Sequence, residues 1–370
     1  MFECRTSALM APAENETIRV PDHPKIKNTR RNQLPLTALA VALCLIVGYM
    51  VWRYSIPPAP MLFAQPQAAV TDAVWNDGAW YWIEGAGTPA ARLVRAVGPA
   101  VTALVSGEQV RSFAVGEGKV AWIAGEGRRW SISTVPLDGS GKQTVWSGEK
   151  EPRGLCLADR RIYWLEQVPA LIPGLGPLPP LESTIRVVAM PLEGGTLASI
   201  GSVMELRGDQ IAGVRDGQVY VVASRPTLQN ATTIYRVPIS GGVARRVVGE
   251  TGAQHALLTR NGTLYWTAPS MEAAQVNTIA CIRRLGRDDL PVTLEDWVPG
   301  GGNLYESTGG TYYVDGSFRP LAWRVTEGKA LPQSSPLPVG YTVVAVGDRE
   351  MLLQSEDMGS KSPLYKIALP

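Results

Sequence analysis

The sequence predicts an all-β chain, a β-propeller behind one N-terminal transmembrane helix, and three observations carry that prediction. A short aromatic strand recurs along the chain, turn residues punctuate it at regular intervals, and nothing after residue 60 has the 3.6-residue period of a long amphipathic helix. The strand appears as Gly78–Trp82 (GAWYW), Gly118–Trp122, Arg160–Trp164, Gly217–Val221, Gly262–Trp266 and Gly310–Val314. It closes on the weaker Asp348–Leu352. Four short antiparallel strands per repeat of about 40–50 residues is the pattern of propeller blades, each sheet needing neighbours to cover both faces. Seven anchors over 310 residues give about 44 residues per blade; six or eight blades also fit the scatter.

A second phrase follows each aromatic strand: Val135-Pro136-Leu137-Asp138-Gly139, Met190-Pro191-Leu192-Glu193-Gly194-Gly195 and Val237-Pro238-Ile239-Ser240-Gly241-Gly242. Asp77-Gly78, Asp216-Gly217 and Asn261-Gly262 are hairpin signals. The last repeat (Tyr341–Val346, Glu350–Leu353, Leu364–Leu369) is one strand short. The unassigned apolar stretch Met61–Gln65 is predicted to complete it and so close the ring.

The domain boundaries follow from charge and hydropathy. Leu34–Trp52 is 19 residues without a charge, enough to cross a hydrocarbon core of about 30 Å. Residues 1–33 hold six basic residues and read as a disordered cytoplasmic tail, 34–53 as a transmembrane helix, 54–60 as a linker and 61–370 as the propeller. The basic flank puts the N-terminus inside a cytoplasmic (inner) membrane and the propeller in the periplasm or outside the cell. A cleaved signal peptide is the competing reading, disfavoured by the long apolar run and the lack of a small-x-small site before the Pro-rich 56–60. The chain as a whole has 35 Lys and Arg against 33 Asp and Glu, and the basic excess lies in 1–53, which leaves a nearly neutral propeller. That balance excludes nucleic acid as a partner.

The repeat text resembles bacterial exported β-propellers related to the YWTD propellers of lipoprotein-receptor ectodomains and to TolB-type propellers, most closely at Leu264-Tyr265-Trp266-Thr267 and Tyr163-Trp164-Leu165-Glu166. The position two after the anchor is acidic at Glu84 and Glu166 and alanine at Ala124, Ala223 and Ala268, a departure from the receptor family. The resemblance implies an extracytoplasmic scaffold that binds a protein or a small ligand.

Two candidate surfaces emerge on the face that carries the long loops. Counting seven residues back from each anchor gives Thr71, Arg111, Arg153, Gln210, His255, Asn303 and Tyr341, all polar and all at the expected start of an innermost strand. They are predicted to ring the channel mouth, where Arg111, Arg153 and a protonated His255 favour a carboxylate or phosphate. The Pro-rich loop Gln167–Ser183 offers Leu171, Ile172, Leu175, Leu178 and Leu181 to a protein partner or packs them on its own blade. The sequence has no Gly-x-Ser-x-Gly elbow, no His-Glu-x-x-His pair and no Cys-x-x-Cys, and holds only two histidines. From this the expectation is a non-catalytic binding scaffold with no cofactor and no metal. The alternatives are a propeller lyase or hydrolase working at the channel mouth with His255 and the arginines, or an assembly factor for an envelope complex.

Overall fold

The computed structural model describes residues 41–47 and 59–369, apart from 170–182, 205–206, 226–230, 249–254, 270–278, 287–289, 316–320, 333–336 and 357–361. Its strands among those residues form seven four-stranded antiparallel sheets, and the protein is a seven-bladed β-propeller. Within a blade the strands run in sequence order from the channel outward and are called a to d here. The a strands are Val70–Asn76, Val110–Gly116, Pro152–Ala158, Arg207–Arg215, His255–Leu258, Asn303–Ser307 and Tyr341–Val346.

The seventh sheet settles the missing strand. Its order is Met61–Ala64, Leu364–Ala368, Glu350–Ser355, Tyr341–Val346, with Met61 opposite Lys366 and Leu62 opposite Tyr365. The first strand of the ring thereby becomes the outer strand of the last blade, and the two ends of the propeller share one hydrogen-bonded ladder.

The a–b connections are tight hairpins because their central residues accept positive φ. Asp77 (47°) and Gly78 (76°) both do, as do Asp216 (49°) and Gly217 (69°), the geometry that matches the twist of the flanking strands. This turn side of the ring is tied blade to blade by polar contacts. Lys119 Nζ lies 2.7 Å from Glu193, Arg215 donates to Asn261 O (2.7 Å), and Arg260 N to Glu306 (2.7 Å). Thr308 N donates to Asp348 (3.2 Å), and Trp80 Nε1 to Glu350 (3.2 Å).

The core is the aromatic stripe of the b strands. Trp82 packs on Ala345, Leu352 and Leu364 of blade 7, Trp122 on Tyr81 and Leu93 of blade 1, Trp164 on Trp130 and Ile132 of blade 2, and Trp266 on Val222 and Ile234 of blade 4. Each indole is fully buried against the preceding blade, so its N–H needs an acceptor inside the protein. Trp82 Nε1 donates to Glu84 (3.1 Å) and Trp164 Nε1 to Glu166 (3.2 Å), the acid two residues on. Each acid in turn faces an arginine directly across the ladder: Arg92, 3.3 Å from Glu84, and Arg186, ion-paired with Glu166. In blade 2 the acid position is Ala124, and Glu108 from the preceding loop accepts from Trp122 Nε1 instead (3.1 Å). In blade 5 it is Ala268, and Trp266 Nε1 has no acceptor among the described residues.

The expected transmembrane helix is corrected to a smaller statement. Of residues 34–53 only 41–47 are described, and they are helical and exposed. Seven residues rise about 10 Å, and among the described residues no helix is long and apolar enough to cross a membrane. The rest of 1–58 lies outside the described residues.

Removing one carboxylate tests the packing account. Glu166→Ala strands both Trp164 Nε1 and the Arg186 guanidinium, and should lower the unfolding free energy by about 2–3 kcal/mol, Arg186 being partly solvated. Urea unfolding followed by tryptophan fluorescence reads it; an unchanged midpoint contradicts the role given to Glu166.

Candidate functional site

The seven a strands converge on one channel, and the residues counted back from the anchors all lie at its loop-side end. His255, Asn303 and Tyr341 are the first residues of their strands, Thr71, Arg111 and Arg153 the second, and Gln210 the fourth of Arg207–Arg215. Their side chains do not behave alike. Register shifts follow Thr71, enclose Arg111, follow Arg153 and interrupt Tyr341–Val346 after Val343. Such bulges insert one extra residue and re-aim the side chains beside it.

Arg111 is the clearest case. Its guanidinium lies 5.8 Å from the ring centroid of Trp130 and its Nε donates to Gly125 O (3.4 Å), so it lies over blade 2. Arg153 is paired with Glu151 at 2.8 Å, both partly exposed. Gln210 reaches the next blade, its Nε2 donating to Ala256 O (2.8 Å), beside His255. Asn303 and Tyr341 border one cavity of about 170 Å3 between blades 6 and 7, with Tyr305, Asp315 and Glu356. Burial pushes the Tyr305 hydroxyl up to about 12, and it donates to Val343 O (3.2 Å). Tyr341 stacks edge-on against Tyr365 at 5.2 Å. Thr71 is exposed.

His255 is half-buried, and burial pushes its imidazole below the ordinary value of 6.5. At neutral pH it is therefore uncharged, an acceptor for a proton and not a cationic partner for an anion.

A larger cavity lies away from the residues that the sequence singled out. It occupies the turn-side half of the channel, about 550 Å3, and contains none of the seven mouth residues. All seven a strands line it, mostly with small or aliphatic residues but also with Trp75 and Tyr305, and the charged Arg215, Arg260 and Glu306 line it too. Cys156 also lines it, and burial, with Asp159 nearby, raises its thiol to about 12, which removes it as a nucleophile. Among the described residues no three His, Cys, Asp or Glu side chains gather into a group able to hold a metal ion. Leu171, Ile172, Leu175, Leu178 and Leu181 lie outside the described residues.

No family model matches the sequence, and no curated protein matches it. Solved structures do match, by fold. An oligogalacturonate lyase in complex with manganese superposes with a TM-score of 0.59 at 12% identity, over 85% of this chain and 97% of its own. The acylaminoacyl peptidase of Pyrococcus horikoshii superposes with a TM-score of 0.58 at 11% identity, over 82% of this chain. This chain spans about half, 52%, of that peptidase. The β-propeller domain of the Trilobed protease from Pyrococcus furiosus superposes at 0.55 and 10% identity, over 81% of this chain and 95% of its own. At these identities the likeness shows the fold.

These neighbours correct the expectation of a non-catalytic scaffold. Each is an enzyme or the propeller domain of one, so the fold supports the lyase or hydrolase alternative better than the scaffold. The manganese named for the lyase has no matching set of donors among the described residues here.

The imidazole assignment makes a pH prediction. The folded-state value lies below the unfolded one of about 6.5, so His255 adds stability above pH 6.5 that is lost as pH falls through the folded-state value. An NMR titration of the His255 ring should show a midpoint below 6.5, and one above it contradicts the assignment.

Proposed function

We propose that the chain is a propeller lyase acting at the loop-side mouth of its channel on an acidic oligosaccharide. The observation that carries the reading is the neutral His255 imidazole set between Gln210 of blade 4 and Asn303 of blade 6, with Arg153 on blade 3 of the same mouth. In this reading Arg153 exchanges Glu151 for the substrate carboxylate, withdrawing charge from the neighbouring carbon. His255 takes the proton from that carbon, the C–H electron pair forms the new double bond, and the C–O bond to the leaving sugar breaks. The imidazolium then returns its proton to the departing oxygen. The whole-length superposition on the oligogalacturonate lyase supports the lyase over the hydrolase alternative, for which the sequence offers no Gly-x-Ser-x-Gly nucleophile.

Two finer parts of the reading rest on the sequence. The basic flank and apolar run of 34–53 support a propeller held outside a cytoplasmic membrane with its N-terminus inside. The Trp82–Glu84 and Trp164–Glu166 pairs support kinship with YWTD propellers at blades 1 and 3.

The test is the full-length protein in detergent with oligogalacturonate, followed by ultraviolet absorbance of the new double bond beside the carboxylate. His255→Ala should lower kcat by about 100-fold or more, Arg153→Ala should raise KM and also lower kcat, and kcat/KM should fall as His255 becomes protonated at acid pH. Turnover that is absent from the parent, or unchanged in His255→Ala, overturns the reading.

A further inference from the structure

The Glu–Arg pairs of blades 1 and 3 show what blade 2 lacks. At the same register position blade 2 has Ala124 opposite Ser131, where blade 1 has Glu84 opposite Arg92 and blade 3 has Glu166 opposite Arg186. Two large charged side chains are replaced by two small ones, and a groove of about 630 Å3 opens there at the loop-side end of the blade.

The groove is lined by groups suited to a sugar. Ser131 and the hydrogen-bonded pair Ser133–Thr144 (3.0 Å between hydroxyls) supply hydroxyls on its floor. Glu108 enters from the d–a loop, held by Trp122 Nε1 and by Lys142, whose charge it balances. Arg129 on the rim is exposed and has no hydrogen-bond or ion-pair partner among the described residues. Glu126, opposite Arg129 on the ladder, also lines the groove and accepts from Gln109 Nε2 (3.0 Å). The groove thus offers hydroxyls and carboxylates to the hydroxyls of a sugar ring, and one uncommitted guanidinium to its carboxylate. Gly125 O in the groove wall accepts from Arg111 Nε, and the Arg111 guanidinium lies over Trp130, which also lines the groove.

We propose that this groove is a remote subsite for a second acidic sugar of the same substrate chain, its carboxylate on Arg129 and its hydroxyls on Ser131, Ser133, Thr144 and Glu108. The inference rests on the reading of the mouth as a lyase site and adds where a longer substrate is held. Binding that is equal in the ground and transition states lowers KM for long substrates and leaves kcat unchanged.

Isothermal titration of the full-length protein with digalacturonate and hexagalacturonate tests it, beside steady-state kinetics on both. Two variants are used: Arg129→Gln, and the double substitution Ala124→Glu with Ser131→Arg, which refills the groove with the pair seen in blades 1 and 3. Each should weaken hexamer binding about tenfold, as expected for loss of a charge-assisted contact, and leave the dimer unchanged. A fully methyl-esterified hexamer should bind less tightly and be indifferent to Arg129→Gln. Equal hexamer affinity in parent and both variants overturns the subsite, as does an equal loss for the dimer. If the groove variants weaken the hexamer while His255→Ala retains turnover, the reaction assignment fails and the subsite stands. If dimer turnover needs His255 and the hexamer ignores both variants, the subsite fails and the reaction stands. No binding of either oligomer overturns both.

Discussion

The structure depends on the stacking of each b-strand aromatic against the blade before it. A four-stranded sheet with two apolar faces has no stable existence in water, and a linear stack of such sheets would leave an apolar face at each end. Closing the stack into a ring removes both. In this chain the closure is the pairing of Met61–Ala64 with Leu364–Ala368, which ties the first described strand to the last blade. The turn-side contacts between neighbouring blades, such as Lys119–Glu193 and Thr308–Asp348, then hold the wedges in phase around a channel.

Stacking large indoles brings a polar cost with it, and the blades meet that cost differently. Blades 1 and 3 place an acid on the same strand and an arginine opposite; blade 2 borrows an acid from a loop; blade 5 leaves the indole N–H without a described acceptor. These differences are where the rotational symmetry of the fold breaks. The groove on the loop side of blade 2 sits at one of them, where Ala124 and Ser131 replace the acid and the arginine.

The blades were legible in the sequence because a propeller repeats one local solution. Aromatic residues on a half-alternating strand, bounded by Asp-Gly and Gly-Gly turns, identify the b strands and the hairpins, and Met61–Gln65 could be placed because the last repeat was one strand short. The height of the mouth residues in the channel was legible for the same reason, since counting back from an anchor crosses a two-residue hairpin in five of the seven blades. Their directions were not. A bulge is invisible in residue type, and the one at Arg111 turns an expected channel cation onto Trp130. The turn-side cavity was hidden because backbone and small aliphatic groups such as Ala73, Ala212 and Leu257 make most of its wall. The alanine at position 124 was visible as a departure, but its meaning needed the cross-strand partner, Ser131, which only the register supplies.

The account centres on a neutral imidazole and an arginine working together at the loop-side mouth. A crystal structure of the protein with a bound oligogalacturonate tests that most directly. The account places a substrate carboxylate on the Arg153 guanidinium, displacing Glu151, with a His255 ring nitrogen within about 3–3.5 Å of the proton-bearing carbon beside it. A ligand seated instead in the turn-side cavity among Arg215, Arg260 and Glu306, with His255 untouched, would contradict it.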